Sequence, residues 1–145
     1  MATIVADTSF LFSLFGNDAH TAAAHSWGVR TRQPITVSAL TRYAFGNAMR
    51  FAAFRKAISQ ADALSSLASF ETDLKNGHLR VVPCDLAAVV TEAARLSDLH
   101  TLNGGHRSFD ILHVATAKAL KATTFLTFNA NQRKLAATVR LKVGP

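Results

Sequence analysis

Cysteine, proline and glycine are all scarce in this sequence, and each shortage removes a class of protein. Cys84 is the only thiol, so there is no internal disulfide framework and no thiolate zinc centre. That cysteine usage suits a reducing cytoplasm. Pro34, Pro83 and Pro145 are the only prolines, and the seven glycines are scattered. No linker, low-complexity segment or fixed-period repeat results. No run of about 18 uninterrupted apolar residues occurs, so no membrane span is expected. The apolar opening from Met1 to Ser13 lacks a basic leading region and carries Asp7 in its middle, against the pattern of a signal peptide. A P-loop, a dinucleotide glycine fingerprint and a Gly-x-Ser-x-Gly elbow are likewise missing.

What remains is a globular composition. The 145 residues are 49% hydrophobic and 17% charged, which predicts one domain over residues 1–145 with a core that needs no covalent staples. Sixteen Lys and Arg against nine Asp and Glu leave a net charge of +7, with an isoelectric point near 10.3. Such a surface attracts polyanions, RNA or DNA first; it also fits a basic soluble protein with no nucleic-acid role.

Short β-branched runs alternate with amphipathic stretches. Ala2 to Ala6, Ile35 to Val37, Leu79 to Val82 and Thr123 to Phe128 read as strands, with Val139 to Val143 a candidate fifth. Helices are predicted from Thr8, from about Ala19 to Arg30 after an Asp18 cap, and from Ser38 onward. Phe51 to Asn76 reads as helical, with a break near Ile58 and Ser59. Further helices are expected from Asp85 to about Leu99, over Phe109 to Leu120, and around Gln132 to Ala136 after Asn129 or Asn131. Thr101 to His106 reads as a polar loop. This alternation is the signature of an α/β fold, a parallel sheet of four to five strands with helices on both faces. In such sheets functional groups gather beyond the carboxyl ends of the strands.

Three residues stand at such places. Asp7 ends the first strand, Asp110 falls in the first turn of an apolar helix, and Asn129 ends the fourth strand. Each has a purely structural use: helix cap for Asp7 and Asn129, helix-dipole partner for Asp110. Together they form an oxygen-rich set suited to Mg²⁺ or Mn²⁺. A hard cation beside a basic surface suggests phosphodiester hydrolysis. Ser9 and Thr127 lie close enough in the chain to orient such ligands, or to serve as ordinary caps.

The blocks IVADTSFLFSLF, ITVSALTRYAFGNAMR, RSFDILHVATA and FLTFNANQRKLA resemble, in that order, the four motifs of PIN-domain nucleases. The pattern is closest to the VapC-type toxins of bacterial toxin–antitoxin pairs. The resemblance implies a three-layer α/β/α fold and a Mg²⁺- or Mn²⁺-dependent endoribonuclease acting on RNA, such as tRNA or another structured RNA. It also implies inhibition by an antitoxin and a homodimer. Asp7 matches the family's first acid and Asp110 its third. Asn129 stands where many members have a fourth acid, and Asn131 falls at a nearby position that is sometimes acidic. The sharpest departure is Ala44, at the place of the family's catalytic glutamate. An alanine has no ligand oxygen and cannot orient a water, so weak metal binding and poor cleavage are implied. Deliberate replacement and natural degeneracy are both open as its origin.

Other residues fit plainer roles. His20 and His25 do not share a helical face, so a histidine zinc site is not expected, and His113 reads as packed and hydrogen-bonded. Arg30, Arg32, Arg42, Arg50, Arg55 and Lys56 form a basic stretch that is either a solvated face or an approach for phosphates, with Arg107, Arg133 and Lys134 similar. Phe45, Phe51, Phe54, Leu64, Leu67 and Phe70 recur at helical spacing. Core packing is the default for such a stripe, and any exposed part offers a groove for an antitoxin helix or a second subunit. Two other functions are weighed: a binding module that holds RNA or protein without cleavage, and a phosphoacceptor receiver domain. The receiver lacks its second acid and its lysine.

Overall fold

A computed structural model, describing residues 2–145, has the expected alternation. The chain order is β1 (Ile4–Ala6), α1 (Thr8–Phe15), α2 (Thr21–Arg30), β2 (Ile35–Ser38), α3 (Ala39–Phe54), α4 (Gln60–Lys75), β3 (Leu79–Val82), α5 (Leu86–Gly104), α6 (Ser108–Ala119), β4 (Thr124–Leu126), α7 (Ala130–Thr138) and β5 (Lys142–Gly144). The strands form one parallel sheet in the order β3-β2-β1-β4-β5. β1 is therefore central, with Val5 opposite Thr36 on one side and Phe125 on the other.

The sheet is buried on both faces, which explains why β1 reads as continuously apolar. Ile4 and Ala6 point into a core with Phe10, Leu11, Phe45, Met49 and Phe70 from α1, α3 and α4. Val5 points the other way, to Val89, Leu96, Val114 and Leu135 of α5, α6 and α7. The layers are thus α/β/α, and the carboxyl ends of β1, β2 and β4 open on one edge. Among the described residues no helix is long and apolar enough to cross a membrane.

The strands β1 and β4 are shorter than the sequence reading, at Ile4–Ala6 and Thr124–Leu126, and three other boundaries differ from it. α5 continues through Gly104, so the first part of the expected Thr101–His106 loop is helical. The stop comes at Gly105, which takes φ +66° and donates its N–H to the Thr101 carbonyl at 2.8 Å, a left-handed cap that suits glycine. α2 begins at Thr21 instead of Ala19, because the Asp18 carboxylate forms a turn by accepting the His20 N–H and the Thr21 hydroxyl. β5 starts at Lys142, since Val139 still closes α7 and Arg140 turns the chain at φ +66°.

Candidate active site

Asp7 leaves β1 at its carboxyl end and caps α1, its Oδ1 accepting the Phe10 N–H at 2.8 Å. The structural and functional readings of this residue coincide, because the cap also aims the carboxylate at the sheet edge. Ser9 Oγ lies 2.8 and 2.9 Å from the two carboxylate oxygens. Thr127 Oγ1, from the end of β4, donates to Oδ2 at 2.6 Å. Asp7 is 0% exposed. Burial pushes its carboxyl up from 3.8 to about 6; the bonds from Thr127, Phe10 and Ser9 oppose that, and the Asp110 charge adds to it. The rise marks negative charge that the protein's own donors do not fully compensate.

Asp110 sits half-buried in the first turn of α6. Its Oδ1 accepts from Gln132 Nε2 at 2.9 Å. The fold thus brings Asp7 and Asp110 into electrostatic range across the sheet edge, from positions 103 residues apart in the chain. Asn129 is close by but already engaged. Its Oδ1 accepts the Gln132 N–H at 2.9 Å and caps α7, and its own N–H goes to Thr127 Oγ1 at 2.9 Å. Asn131 is exposed and outside the cleft. Ala44, on α3, lines the same cleft as Asp110 and Asn129 and presents only a methyl group.

This cleft has a volume of about 690 Å³. Asp7 lies beneath it, under Thr8 and Ser9. His113 forms part of its wall, 4% exposed, with Nε2 3.0 Å from Thr8 Oγ1 and Nδ1 3.4 Å from Thr41 Oγ1. Burial holds the ring's pKa down to about 4 against the pull of Asp110, so it is neutral near pH 7. The ring ties α1, α3 and α6 together, the packed and hydrogen-bonded role expected for it.

Several cleft residues, among them Tyr43, Phe109 and Gln132, were not given a site role by the sequence reading, and His20 and Phe51 were named there for other reasons. His20 stacks on Phe128 with centroids 4.5 Å apart, and Phe128 stacks on Phe10 at 5.6 Å. Tyr43, Phe51 and Phe109 line the cleft with exposed rings. Gln132 is buried at the third position of α7. A capping box would send such a side chain back to the cap; here it crosses to Asp110. A polar residue on the buried face of a short helix was the one available signal.

The basic residues sit elsewhere. No described Lys or Arg lines the cleft. Arg42 pairs with Glu71 at 2.6 Å, Arg133 donates to the Thr127 carbonyl at 3.1 Å, and the Arg55 guanidinium lies over the Phe51 ring, 5.2 Å from its centroid. The apolar stripe divides: Phe45 and Phe70 are buried, whereas Phe51, Phe54 and Leu64 are exposed.

The donor set matches a hard cation in kind, being all oxygen. The buried Asp7 carboxyl feels the Asp110 charge, and the Oε1 of Gln132, whose Nε2 bonds Asp110, is buried without a partner. It is short in number: among the described residues no three His, Cys, Asp or Glu side chains converge. Ala44 adds only a methyl group to the cleft lining.

A family model described as PIN domain matches residues 4–138. No curated protein matches the chain significantly by sequence. Similar solved structures include VapC20 of Mycobacterium tuberculosis, described as a Sarcin-Ricin loop cleaving toxin. It has 15% identity and a TM-score of 0.72 over 99% of this chain and 100% of that one. FitAcB of Neisseria gonorrhoeae has 15% identity and a TM-score of 0.65 over 99% and 97%. VapBC-1 of nontypeable Haemophilus influenzae has 14% identity and a TM-score of 0.61 over 98% and 96%. At these identities the likeness is one of fold.

Proposed function

We propose that this chain, which belongs to the PIN-domain family, is a metal-dependent endoribonuclease toxin disabled or impaired by alanine at position 44. The observation that carries the reading is Asp110 on the cleft wall with Asp7 buried beneath it, near enough that the Asp110 charge helps raise the Asp7 carboxyl to about 6. In this reading the two carboxylates hold Mg²⁺ or Mn²⁺, and Asn129 contributes as a weaker, water-mediated donor. When bound, the cation supplies a water of lowered pKa and polarises the scissile phosphate. Ser9 and Thr127 keep Asp7 oriented through their hydroxyls. The exposed rings of Tyr43, Phe51 and Phe109 offer surfaces on which RNA bases stack.

The whole chain acts as one such unit, in the cytoplasm. Likeness to FitAcB and VapBC-1 supports an antitoxin as partner, with the toxin itself a homodimer. The exposed Phe51, Phe54 and Leu64 on α3 and α4 are apolar surface for such contacts.

The direct experiment is Ala44→Glu. It is expected to give Mg²⁺- or Mn²⁺-dependent cleavage of tRNA or another structured RNA, absent with EDTA. A restored chain that stays inert on these RNAs removes most support for the toxin reading. The absence of a third carboxylate favours a second reading, a PIN module that binds RNA or protein without cleaving. Calorimetry separates the two, because a pure binding module need show no heat specific to divalent ions.

A further inference from the structure

Gln132 is 3% exposed, yet it borders the cleft. Its Nε2 donates to Asp110 Oδ1 at 2.9 Å, while its Oε1 is buried with no donor in reach. An orphaned amide oxygen costs about 1–3 kcal/mol. Turning the amide over does not relieve it, because Oε1 would then face the Asp110 carboxylate and the one good bond would be lost. Asp110 therefore fixes the amide's orientation, and the empty acceptor lies beside an anionic oxygen. A hard cation, or a water bound to it, satisfies both groups at once.

The backbone of Gln132 is also tied to the other carboxylate. Its N–H goes to Asn129 Oδ1, the Asn129 N–H goes to Thr127 Oγ1, and Thr127 Oγ1 donates to Asp7 Oδ2. Three residues of the β4–α7 junction thus span the gap between Asp7 and Asp110 by hydrogen bonds. We propose that Gln132 is the positioning residue of this site: it holds Asp110 at a set place relative to Asp7 and turns Oε1 into the coordination sphere of the divalent cation. It supplies an oxygen in a site where Ala44 supplies none. The proposal rests on reading Asp7 and Asp110 as a cation site.

Mn²⁺ binding by the full chain tests it, followed by calorimetry and electron paramagnetic resonance, with circular dichroism and a thermal melt as checks of folding. Asp7→Asn and Asp110→Asn should abolish binding. Gln132→Met should weaken it by about 10- to 100-fold, the usual effect of losing such a supporting group. Gln132→Glu, which keeps a ligand oxygen but cannot donate to Asp110, should bind better than Gln132→Met. Wild-type affinity in Gln132→Met overturns the proposal, as does equal weakening by Met and Glu. If Asp7→Asn and Asp110→Asn lose binding while Gln132→Met does not, the cation site stands and only the role of Gln132 falls. No Mn²⁺ binding by the natural chain removes the site and the proposal together. The unsubstituted protein provides a second test, independent of how Gln132→Met folds. Substoichiometric Mn²⁺ should broaden the Gln132 side-chain amide signals first, and their survival at saturation overturns the assignment.

Discussion

Asp7 lies buried beneath the cleft and Asp110 lines it, and the two are held by opposite means. Asp7 sits under the surface at the end of the central strand, with Ser9, Phe10 and Thr127 all directed at its oxygens. Asp110 is half-buried on the first turn of a helix and has one protein donor, Gln132. Asp7 is therefore fixed in place at a cost in ionisation, and Asp110 depends on a single neighbour for its position. A site assembled this way has one rigid post and one adjustable one. Each can be broken separately.

The largest difference concerns activity. In an Ala44→Glu background, Asp110→Ala should lower RNA cleavage about 100-fold or more, since cation-borne charge stabilisation is worth several kcal/mol. Asp7→Ala should remove cleavage as fully while leaving a folded chain, as checked by circular dichroism and gel filtration.

Stability separates the two residues in the other direction. A carboxyl raised from 3.8 to about 6 opposes folding above that range by roughly 3 kcal/mol at most. Asp7→Asn relieves the charge but points an NH₂ at existing donors. The net expectation at pH 7 without divalent ions is a gain of about 1–2 kcal/mol in denaturant unfolding. Asp110→Asn should stay within about 0.5 kcal/mol of the natural chain.

The pH dependence sharpens the contrast through His113. Between pH 6 and 4 the native state takes up a proton at Asp7 before the unfolded chain does, so acid stabilises. His113 behaves oppositely. Its pKa falls from 6.5 to about 4 on folding, so between pH 6.5 and 4 the unfolded chain binds the proton first and acid destabilises. The two contributions largely cancel, and the natural chain should show a nearly flat stability from pH 6 to 4 from this pair. Asp7→Asn removes one side of the balance. Its stability should then fall by up to about 1.4 kcal/mol per pH unit across that window.

The smallest effect lies away from the cleft. Glu92 is a carboxylate with cationic partners, and the bonds from Arg95 and Lys118 hold its pKa down to about 2. Its contribution is present above pH 4.5 and is lost as pH falls toward 2. Because the group is part-exposed at the surface and its ion pairs are screened there, Glu92→Gln should cost less than about 1 kcal/mol in thermal or urea melts.

Much of this arrangement was legible before any coordinates. Asp7 and Asp110 stood out because each interrupts an apolar run, and parallel strands bring their carboxyl ends to one edge. Ala44 was legible only through resemblance, since an alanine on a helix carries no signal of its own. Gln132 was hidden because its burial depends on α7 packing beside α6, a long-range contact that local pattern does not report. Gly104 and Gly105 are adjacent, and the sequence does not distinguish which of them takes the left-handed turn. The aromatic stripe of α3 and α4 marks a face but not how far the fold covers it, so Phe45 and Phe51 look alike in sequence and differ in exposure.

Carboxyl ¹³C NMR of Asp7, titrated with and without Mg²⁺, shows whether a cation engages this carboxylate. Half-ionisation is expected near pH 6 in the metal-free chain, moving down by about one pH unit or more when Mg²⁺ saturates the cleft. A midpoint that stays near 6 at saturating Mg²⁺ would contradict a cation shared by Asp7 and Asp110.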